Sequence, residues 1–425
     1  MGREYLEAKE CLTFIDKAVS CYHVVKNIET MLKEQGFSEL KETEEYVVLK
    51  GGKYYIKRND SSVIAFCVPE EETKGFHIVA SHSDSPTFKV KAEAEQKVED
   101  AYVKLNVEPY GGAIYATWLD RTLSVAGRIV CREKDALVSK TVDVDEDLLV
   151  IPNLAIHMNR EMNKQLSYNP QVDLQPLMYA GSGENILMKK VAEYAEVKEE
   201  DILGKDLFLY VREKGKLAGA EKEMMISPRL DDQECVYASV KGLLASVPGQ
   251  YISICAVFDN EEVGSLTRQG ASSTFLKDTL ERVREALGIS RIDYLRMLAN
   301  SFMISADNAH ALHPNHPEKA DPTNRPCLNK GIVIKYHGGQ KYTTDAYTEA
   351  VMKKLCEEAD VPYQTYCNRS DMPGGSTLGN ISESQVSIPC VDIGLPQLAM
   401  HSAVECAGSK DLEDLIKIAC AFFAK

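Results

Sequence analysis

The sequence predicts an α/β fold in which a mixed central sheet is covered by helices and interrupted by an inserted β-rich domain. Before residue 88 and after residue 225, apolar strand-like runs alternate with segments of helical periodicity. Between them, polar and apolar residues alternate as in half-buried antiparallel strands. A length of 425 residues favours one large and one smaller domain. We therefore expect a main domain formed by residues 1–87 and 226–425, with an inserted domain over residues 88–225.

The elements follow this division in chain order. Residues 5–35 have apolar positions at helical spacing and end at Gly36. A hairpin (EYVVLK and KYYIKR around GG) and two strands (SSVIAFCV and GFHIVASH) come next. After residue 226 the predicted helices are 231–245, about 272–286, DAYTEAVMKKLCEEA and DLEDLIKIACAFFA. The strands are YISICAVF, SFMISAD, GIVIKYH and PCVDIGLP, whose apolar character predicts a sheet covered on both faces, with ligands at the carboxyl ends.

Composition excludes two classes of partner. The chain carries 49 basic and 64 acidic residues, a net charge of −15, which disfavours nucleic acid and anionic membranes. The N-terminal MGREYLEAKE lacks an apolar signal core, and no apolar run approaches the ~18 residues of a membrane span. Twelve scattered cysteines without a C-x-x-C pair are typical of reduced thiols. We therefore expect a soluble cytoplasmic protein.

Clusters of ionisable residues recur in the main domain directly after a strand or before a helix. They are His82 and Asp84 in HIVASHSDSP, Asp231 and Asp232 in SPRLDDQE, Glu261 and Glu262 in AVFDNEEVGS, Asp307, His310 and His313 in FMISADNAHALHP, and His401 in GLPQLAMHSAVE. Each alone has an ordinary interpretation, as a structural histidine, a helix N-cap or a solvated glutamate pair. Five clusters at one relative position instead indicate a metal site, because zinc prefers imidazole and carboxylate ligands among others.

Two of these clusters carry more detailed expectations. In SHSD, Asp84 lies two residues after His82 and shares its face of the strand, so its carboxylate is placed to orient the imidazole. Glu261 and Glu262 are consecutive, and consecutive side chains of an extended chain point to opposite sides. We therefore expect the two glutamates to have different roles.

The three histidines of HALHPNH (His310, His313 and His316) predict a loop, because Pro314 and Pro317 interrupt the helical spacing. We expect at most one of the three in the site. The rival motifs G-x-S-x-G, G-x-x-x-x-G-K-[ST], G-x-G-x-x-G and H-E-x-x-H do not occur in the sequence. The ionisable residues suffice for two metal ions, which need a bridging carboxylate, terminal ligands and an acid/base group.

In this order, ASHSDSP, SPRLDD, FDNEEVGS, SADNAHALHPN and MHSAVE resemble the motifs of the aspartyl aminopeptidase family across the whole chain. The resemblance implies a dinuclear zinc aminopeptidase of phosphorylase/hydrolase-like fold that removes N-terminal Asp or Glu from peptides. It implies His82 and Asp307 as ligands of one zinc ion, Glu262 and His401 as ligands of the other, Asp231 as the bridge and Glu261 as the general base. Such a base takes a proton from the attacking water and passes it to the leaving amine. Cobalt or manganese would suit the same ligand types.

The resemblance also implies uses for the remaining parts. The insertion would be a dimerisation and lid domain, and dimers would assemble into a dodecameric shell. His157 in PNLAIHMNRE would reach a neighbouring subunit's site and stabilise the oxyanion, the alternative being an ordinary surface histidine. His310 and Lys335 would supply cations for the acidic side chain, although a snorkelling lysine is the default interpretation of Lys335. Asn308 replaces an expected apolar residue beside Asp307 and would change pocket polarity more than metal binding.

Three alternatives remain open. The same two-metal core would serve an aminopeptidase or amidohydrolase of neutral substrates. A non-catalytic oligomeric scaffold would keep the fold without the chemistry, although every predicted ligand and the base are present. A two-carboxylate glycosidase using Glu261 would leave His82 and His401 without a role.

Overall fold

The computed structural model describes residues 5–425. The helices are α1 (Leu6–Lys17), α2 (Cys21–Glu34), α3 (Pro170–Asp173), α4 (Ile186–Tyr194), α5 (Leu230–Ala245), α6 (Phe275–Ala286), α7 (Arg291–Asn300), α8 (Ala346–Ala359), α9 (Leu378–Glu383) and α10 (Asp411–Phe423). The strands are β1 (Ser38–Glu39), β2 (Lys53–Arg58), β3 (Ser62–Cys67), β4 (Phe76–His82), β5 (Thr87–Val98), β6 (Tyr102–Tyr110), β7 (Leu123–Glu133), β8 (Ala136–Asp143), β9 (Leu177–Ala180), β10 (Ile202–Val211), β11 (Lys216–Ala218), β12 (Met224–Ser227), β13 (Ile252–Phe258), β14 (Phe302–Ala306), β15 (Ala309–His310), β16 (Ile332–Tyr336), β17 (Tyr363–Cys367), β18 (Cys390–Gly394), β19 (Pro396–Leu398) and β20 (Glu405–Gly408).

A nine-stranded mixed sheet in the order β1-β2-β3-β13-β4-β14-β18-β16-β17 forms the centre of the main domain. The four adjacent strands β13, β4, β14 and β18 are parallel, and β3 and β16 join them antiparallel. Every residue of β3, β4, β13, β14 and β18 is buried, which explains their near-continuous apolar sequences. One face packs against α1, α2, α5, α8 and α10, and the other against α6, α7 and α9. The predicted helix-covered mixed sheet is confirmed.

The N-terminal segment differs from the single helix expected over residues 5–35. It forms α1 and α2, separated by a turn at residues 18–20 in which Ser20 adopts an extended backbone. The main-chain oxygen of Ser20 accepts hydrogen bonds from the nitrogens of His23 and Val24, which begins the second helix. This turn lets the apolar faces of both helices pack on the same core. Within residues 5–425, no helix is long and apolar enough to cross a membrane.

A second, six-stranded sheet in the order β8-β7-β10-β5-β6-β9 is antiparallel throughout and uses strands between Thr87 and Val211. It has an apolar core of its own. A third sheet, β11-β12-β20-β19-β15, joins the strands after Val211 to strands near the C-terminus. Residues 216–227 thus pair with the main domain, and the exact limits 88–225 remain a prediction.

Helices α5 and α10 approach each other closely at Gly242. A methyl group at this position would overlap the Cβ atom of Ala419 and crowd its main chain. We expect Gly242→Ala to lower the free energy of unfolding, because overpacking costs about 1–3 kcal/mol while alanine regains only about 1 kcal/mol of helix propensity. Urea unfolding of wild type and variant measures the change. The double variant Gly242→Ala/Ala419→Gly removes the overlap and should recover most of the loss; a double variant less stable than Gly242→Ala would contradict this packing.

Candidate metal centre

The ionisable residues meet at the carboxyl edge of the parallel strands. His82 ends β4, Asp307 follows β14, and Glu261 and Glu262 follow β13. Because β13, β4 and β14 are adjacent and parallel, their carboxyl ends lie side by side. Two further residues come from outside the sheet, Asp231 from the start of α5 and His401 from the turn between β19 and β20.

Two clusters of potential metal ligands overlap at Asp231. In the first, His82 Nε2 lies 3.4 Å from Asp231 Oδ1 and 3.9 Å from Asp307 Oδ1. In the second, His401 Nε2 lies 3.5 Å from Asp231 Oδ2 and 3.4 Å from Glu262 Oε2. Each oxygen of Asp231 therefore faces a different histidine, as a carboxylate that bridges two ions requires.

Unpaired buried oxygens make this site suited to cations. Asp231 Oδ1, Asp232 Oδ1 and Glu262 Oε1 are buried without a hydrogen-bond partner among the described residues. A buried polar group left unpaired costs roughly 1–3 kcal/mol, and more when it is charged. A divalent ion would satisfy these oxygens, and a set of imidazoles and carboxylates suits zinc. The residues therefore fit a metal centre.

The electrostatics of the site agree with this interpretation. Burial raises the pKa of Glu262, and the neighbouring Asp231 raises it further. Burial also raises the pKa of Glu261 to about 8, although His82 opposes the rise. Burial lowers the pKa of His82, but the surrounding carboxylates, Asp232 first, raise it well above its usual range. A bound cation reverses such shifts, because its charge stabilises carboxylates and a neutral imidazole.

Asp84 supports the glutamate loop as well as His82. Its carboxylate accepts hydrogen bonds from the main-chain nitrogens of Glu261 and Glu262, each at 3.1 Å. Tyr110 Oη from the end of β6 donates a third hydrogen bond to it at 2.7 Å. The His82 ring nitrogen Nδ1 lies 3.1 Å from the main-chain oxygen of Asp84 and 3.5 Å from its carboxylate. The ring is therefore oriented chiefly by the main chain of Asp84, where we expected the carboxylate.

The backbone around the glutamates also differs from the expectation. Glu261–Val263 form a 3-10 turn between Asn260 and Gly264, both with positive φ, in place of an extended chain. Glu261 joins His82 and Glu262 in a third potential ligand group. The expectation of opposite side-chain directions for Glu261 and Glu262 was therefore wrong, since it holds only for an extended backbone.

Glu405 is a residue that the sequence motifs did not identify. Its two carboxylate oxygens accept hydrogen bonds from the main-chain nitrogens of His401, at 2.7 Å, and Asp231, at 3.0 Å. It thus holds two predicted ligands that are far apart in sequence. Asp232 has a similar part, because its carboxylate accepts from the main-chain nitrogen of His82 at 3.0 Å. The only sequence signal for Glu405 was its place in the motif MHSAVE.

Lys335 and Asn308 are both buried beside Asp307. Lys335 Nζ donates to the main-chain oxygen of Asp307 at 2.8 Å and lies 3.7 Å from its carboxylate. The same ammonium lies 5.1 Å from the ring centre of Tyr342. Asn308 Nδ2 donates to the Glu234 carboxylate at 2.6 Å, away from the solvent. Whether Lys335 also binds substrate remains a prediction.

His310 and His157 are exposed. His310 lies in the short strand β15 and lines a cavity of about 410 Å³ whose wall also contains Met400, the residue before His401. His313 and His316 line the same cavity from the loop after β15, so the loop predicted for this segment is confirmed. His157 lies in a turn of the insertion and belongs to none of the potential ligand groups of the described chain.

The fold and the site together indicate a metallohydrolase class, in which an α/β sheet presents metal ligands at the ends of its parallel strands. The model of the Aminopeptidase I zinc metalloprotease family (M18) matches residues 14–423. The chain is 47% identical over 419 residues to the probable M18 family aminopeptidase 2 of Clostridium acetobutylicum, covering 97% of each chain. It is 35% identical over 450 residues to the aspartyl aminopeptidase of Caenorhabditis elegans, covering 98% of this chain and 95% of the other. The chain belongs to the M18 family of zinc metalloproteases, and the predicted family is confirmed.

Solved structures agree with this assignment. Ape4, solved in complex with Nbr1, matches with a TM-score of 0.96 and 34% identity, covering 100% of this chain and 87% of that one. The S. cerevisiae mApe1 dodecamer matches with a TM-score of 0.87 and 28% identity, covering 99% and 96%. The predicted enzyme class, a metal-dependent aminopeptidase, is confirmed at the level of the family.

The hydrogen bond from Tyr110 joins the insertion to the glutamate loop, and its loss should reduce turnover. Tyr110→Phe leaves the Asp84 carboxylate without its closest donor and removes the acceptor for Asn260 Nδ2, which lies 2.8 Å from Tyr110 Oη. A hydrogen bond to a charged group contributes about 1.5–3 kcal/mol, so we expect kcat to fall about tenfold or more. Steady-state kinetics tests this, with Tyr102→Phe, an exposed tyrosine on the same strand, as control. Equal kcat values for the two variants would show that the contact is dispensable.

Proposed function

We propose that this protein is an aminopeptidase that removes N-terminal aspartate or glutamate from peptides with two divalent metal ions, zinc foremost, per subunit. The observation that supports two ions is the pair of ligand clusters sharing Asp231. Support for an acidic substrate comes from the cavity beside His310, whose described lining contains basic residues and neither Asp nor Glu. The relative named aspartyl aminopeptidase agrees with that preference.

In this mechanism His82 and Asp307 would hold one ion, Glu262 and His401 the other, and Asp231 both. Bound there, the ions would supply Lewis-acid chemistry, polarising the scissile carbonyl and lowering the pKa of water at neutral pH. Glu261 takes a proton from the attacking water and later gives it to the leaving amine. Asp84 fixes the position of Glu261 through the main-chain hydrogen bond of 3.1 Å.

The free amine and the acidic side chain of the substrate would meet opposite charges. Carboxylates around the ions would attract the ammonium group, and Lys335 would attract the side-chain carboxylate. Burial lowers the pKa of His310, so its ring would act on that carboxylate chiefly as a hydrogen-bond donor. Lys335 is buried and donates a hydrogen bond to the main-chain oxygen of Asp307. Its charge would therefore have two effects: it would attract the substrate carboxylate, and it would hold Asp307 in position. His310 is exposed on the cavity wall and is free to contact the substrate directly.

We propose a homo-oligomer, most simply a dodecamer built from dimers as in the mApe1 structure. The segment around His157 supports a subunit contact, because it exposes large apolar side chains. Leu154, Ile156, Met158 and Leu166 are 51%, 43%, 74% and 52% exposed, and clustered exposed apolar residues are typical of an interface. His157 would then reach the site of a neighbouring subunit and stabilise the oxyanion.

The described cysteines are free thiols, in keeping with a reducing cytoplasm.

The two glutamates provide a paired test of the assigned roles. Glu261→Gln should retain both ions and lose turnover by a factor of about 100 or more, because a general base contributes about 10²–10⁴-fold. Glu262→Gln should lose one ion, because an amide is a weaker ligand than a carboxylate. Metal analysis after dialysis, together with kcat, separates the two effects. Loss of an ion from Glu261→Gln, or full metal content in Glu262→Gln, would overturn the assignment.

Substrate preference tests the acidic specificity. The zinc-loaded enzyme should cleave Asp- and Glu-anilides with a kcat/KM about tenfold or more above that of Leu-anilide, since one cation–carboxylate contact in a partly desolvated pocket provides about 1.4 kcal/mol or more. Parallel assays before and after chelation measure this. A dominant Leu activity would favour the aminopeptidase of neutral residues. A metal-loaded protein inert on all three would favour the scaffold.

A further inference from the structure

The cavity beside His310 extends well beyond the metal centre. It has a volume of about 410 Å³ and is walled by the loop after β15, by residues 366–374 at and beyond the end of β17, and by residues 397–400 at and beyond the end of β19. We call the part at His310 and Met400, which adjoins the segments of the candidate ligands, its inner end; Lys319, Arg325 and Arg369 line the cavity as well. A cavity of this size accommodates more than one small side chain. Substrate beyond the first residue therefore has a place to bind.

The charge of this cavity is opposite to that of the protein. Six of the twenty residues that line it are basic, namely His310, His313, His316, Lys319, Arg325 and Arg369. The chain as a whole carries a net charge of −15. Basic side chains grouped around a concave surface raise the local potential and concentrate anions there.

Two exposed cations of the lining, Lys319 and Arg325, lack ion-pair partners among the described residues. Arg369 is paired with Asp371 at 2.8 Å, and His316 with Glu318 at 3.3 Å. In residues 5–425, Lys319 and Arg325 have no carboxylate within ion-pair distance. They are thus available to a ligand.

The loop that carries Lys319 and Arg325 is held in shape by hydrogen bonds. Its base is closed by a hydrogen bond of 2.7 Å from the main-chain nitrogen of Leu312 to the main-chain oxygen of Pro326. Within it, the carboxylate of Asp321 accepts from the main-chain nitrogens of Thr323 and Asn324, at 3.0 and 2.7 Å. Asp321 is therefore held by the main chain of its own loop and forms no ion pair with Lys319 or Arg325 within residues 5–425.

Resting on the proposed aminopeptidase function, we propose that Lys319 and Arg325 bind a second carboxylate of the substrate, on its second or third residue. The enzyme would then act best on peptides that begin with a run of acidic residues. The first carboxylate lies at the inner end of the cavity, near His310, and the peptide extends outward at roughly 3.3 Å per residue. Attraction between these two cations and the second carboxylate would strengthen substrate binding and leave the chemical step unchanged. The second carboxylate should therefore lower KM.

Peptides of four residues with amidated C-termini test this proposal. Asp-Asp-Ala-Ala and Asp-Ala-Asp-Ala amides are compared with their asparagine counterparts, Asp-Asn-Ala-Ala and Asp-Ala-Asn-Ala. At least one acidic member should show a kcat/KM about tenfold higher through KM, with the advantage decreasing at high salt. Equal kcat/KM values within both pairs would overturn the proposal. The same peptides with free C-termini test whether a terminal carboxylate binds in the cavity instead. In that case an advantage of the acidic peptides would appear only without amidation. This outcome would also contradict the proposal.

Variants locate the effect. In Lys319→Gln/Arg325→Gln, and partly in Arg325→Gln alone, the ratio between acidic and asparagine peptides should approach one. Lys277→Gln on the exposed side of α6 removes one positive charge, as Arg325→Gln does, and should keep the wild-type ratio. A double variant that keeps the tenfold ratio would overturn the proposal even if the peptides themselves behave as expected.

The first position is tested separately. Leu-Asn-Ala-Ala amide against Asp-Asn-Ala-Ala amide reports on the acidic preference at the first residue, without a second carboxylate. Equal kcat/KM values for that pair would refute the proposed acidic specificity. Equal kcat/KM values for Asp-Asp-Ala-Ala and Asp-Asn-Ala-Ala, and for the corresponding third-position pair, would refute only the second-carboxylate site.

Discussion

One buried carboxylate, that of Asp231, determines much of the arrangement around it. Each of its oxygens faces a different histidine, 3.4 Å from His82 and 3.5 Å from His401. The carboxylates of Asp307 and Glu262 lie in the same potential ligand groups as Asp231, and like charges packed this closely away from water are unfavourable unless a cation neutralises them. The fold must therefore bring three segments together to within hydrogen-bonding distances. They are the strand ends, the start of α5 and the turn before β20. Glu405 contributes to this convergence by holding the main chain of both Asp231 and His401.

The insertion belongs to the metal centre as much as to the periphery. At the end of β6, Tyr110 reaches the Asp84 carboxylate, and two residues further on the main-chain oxygen of Gly112 lies 3.2 Å from His401 Nδ1. The nitrogen of Ile114 donates to the main-chain oxygen of His401 at 2.9 Å. The contacts of Gly112 and Ile114 fix the orientation of His401, a candidate ligand, as partners of metal-binding imidazoles do. A domain added to the sheet can in this way control the geometry of the site.

The site also combines two opposite potentials. Acidic side chains crowd the sheet edge, while basic side chains line the adjoining cavity. A substrate of the proposed function, beginning with an acidic residue, would present an ammonium group and a carboxylate a few atoms apart, and such a gradient would orient both. The net charge of −15 would repel this substrate at long range, so local cations would have to provide the attraction at short range.

The sequence by itself determined the fold class and pointed to His82, Asp307 and the other candidate ligands, because burial, strand period and strand ends are local features of the chain. It did not determine the turn at residues 18–20 or the 3-10 turn at Glu261, where one or two backbone angles change the direction of the chain. Only the tertiary structure revealed the parts played by Tyr110 and Glu405, since their hydrogen bonds join segments well separated in sequence. Such contacts leave no periodicity in the sequence, and their geometry depends on how the whole domain packs.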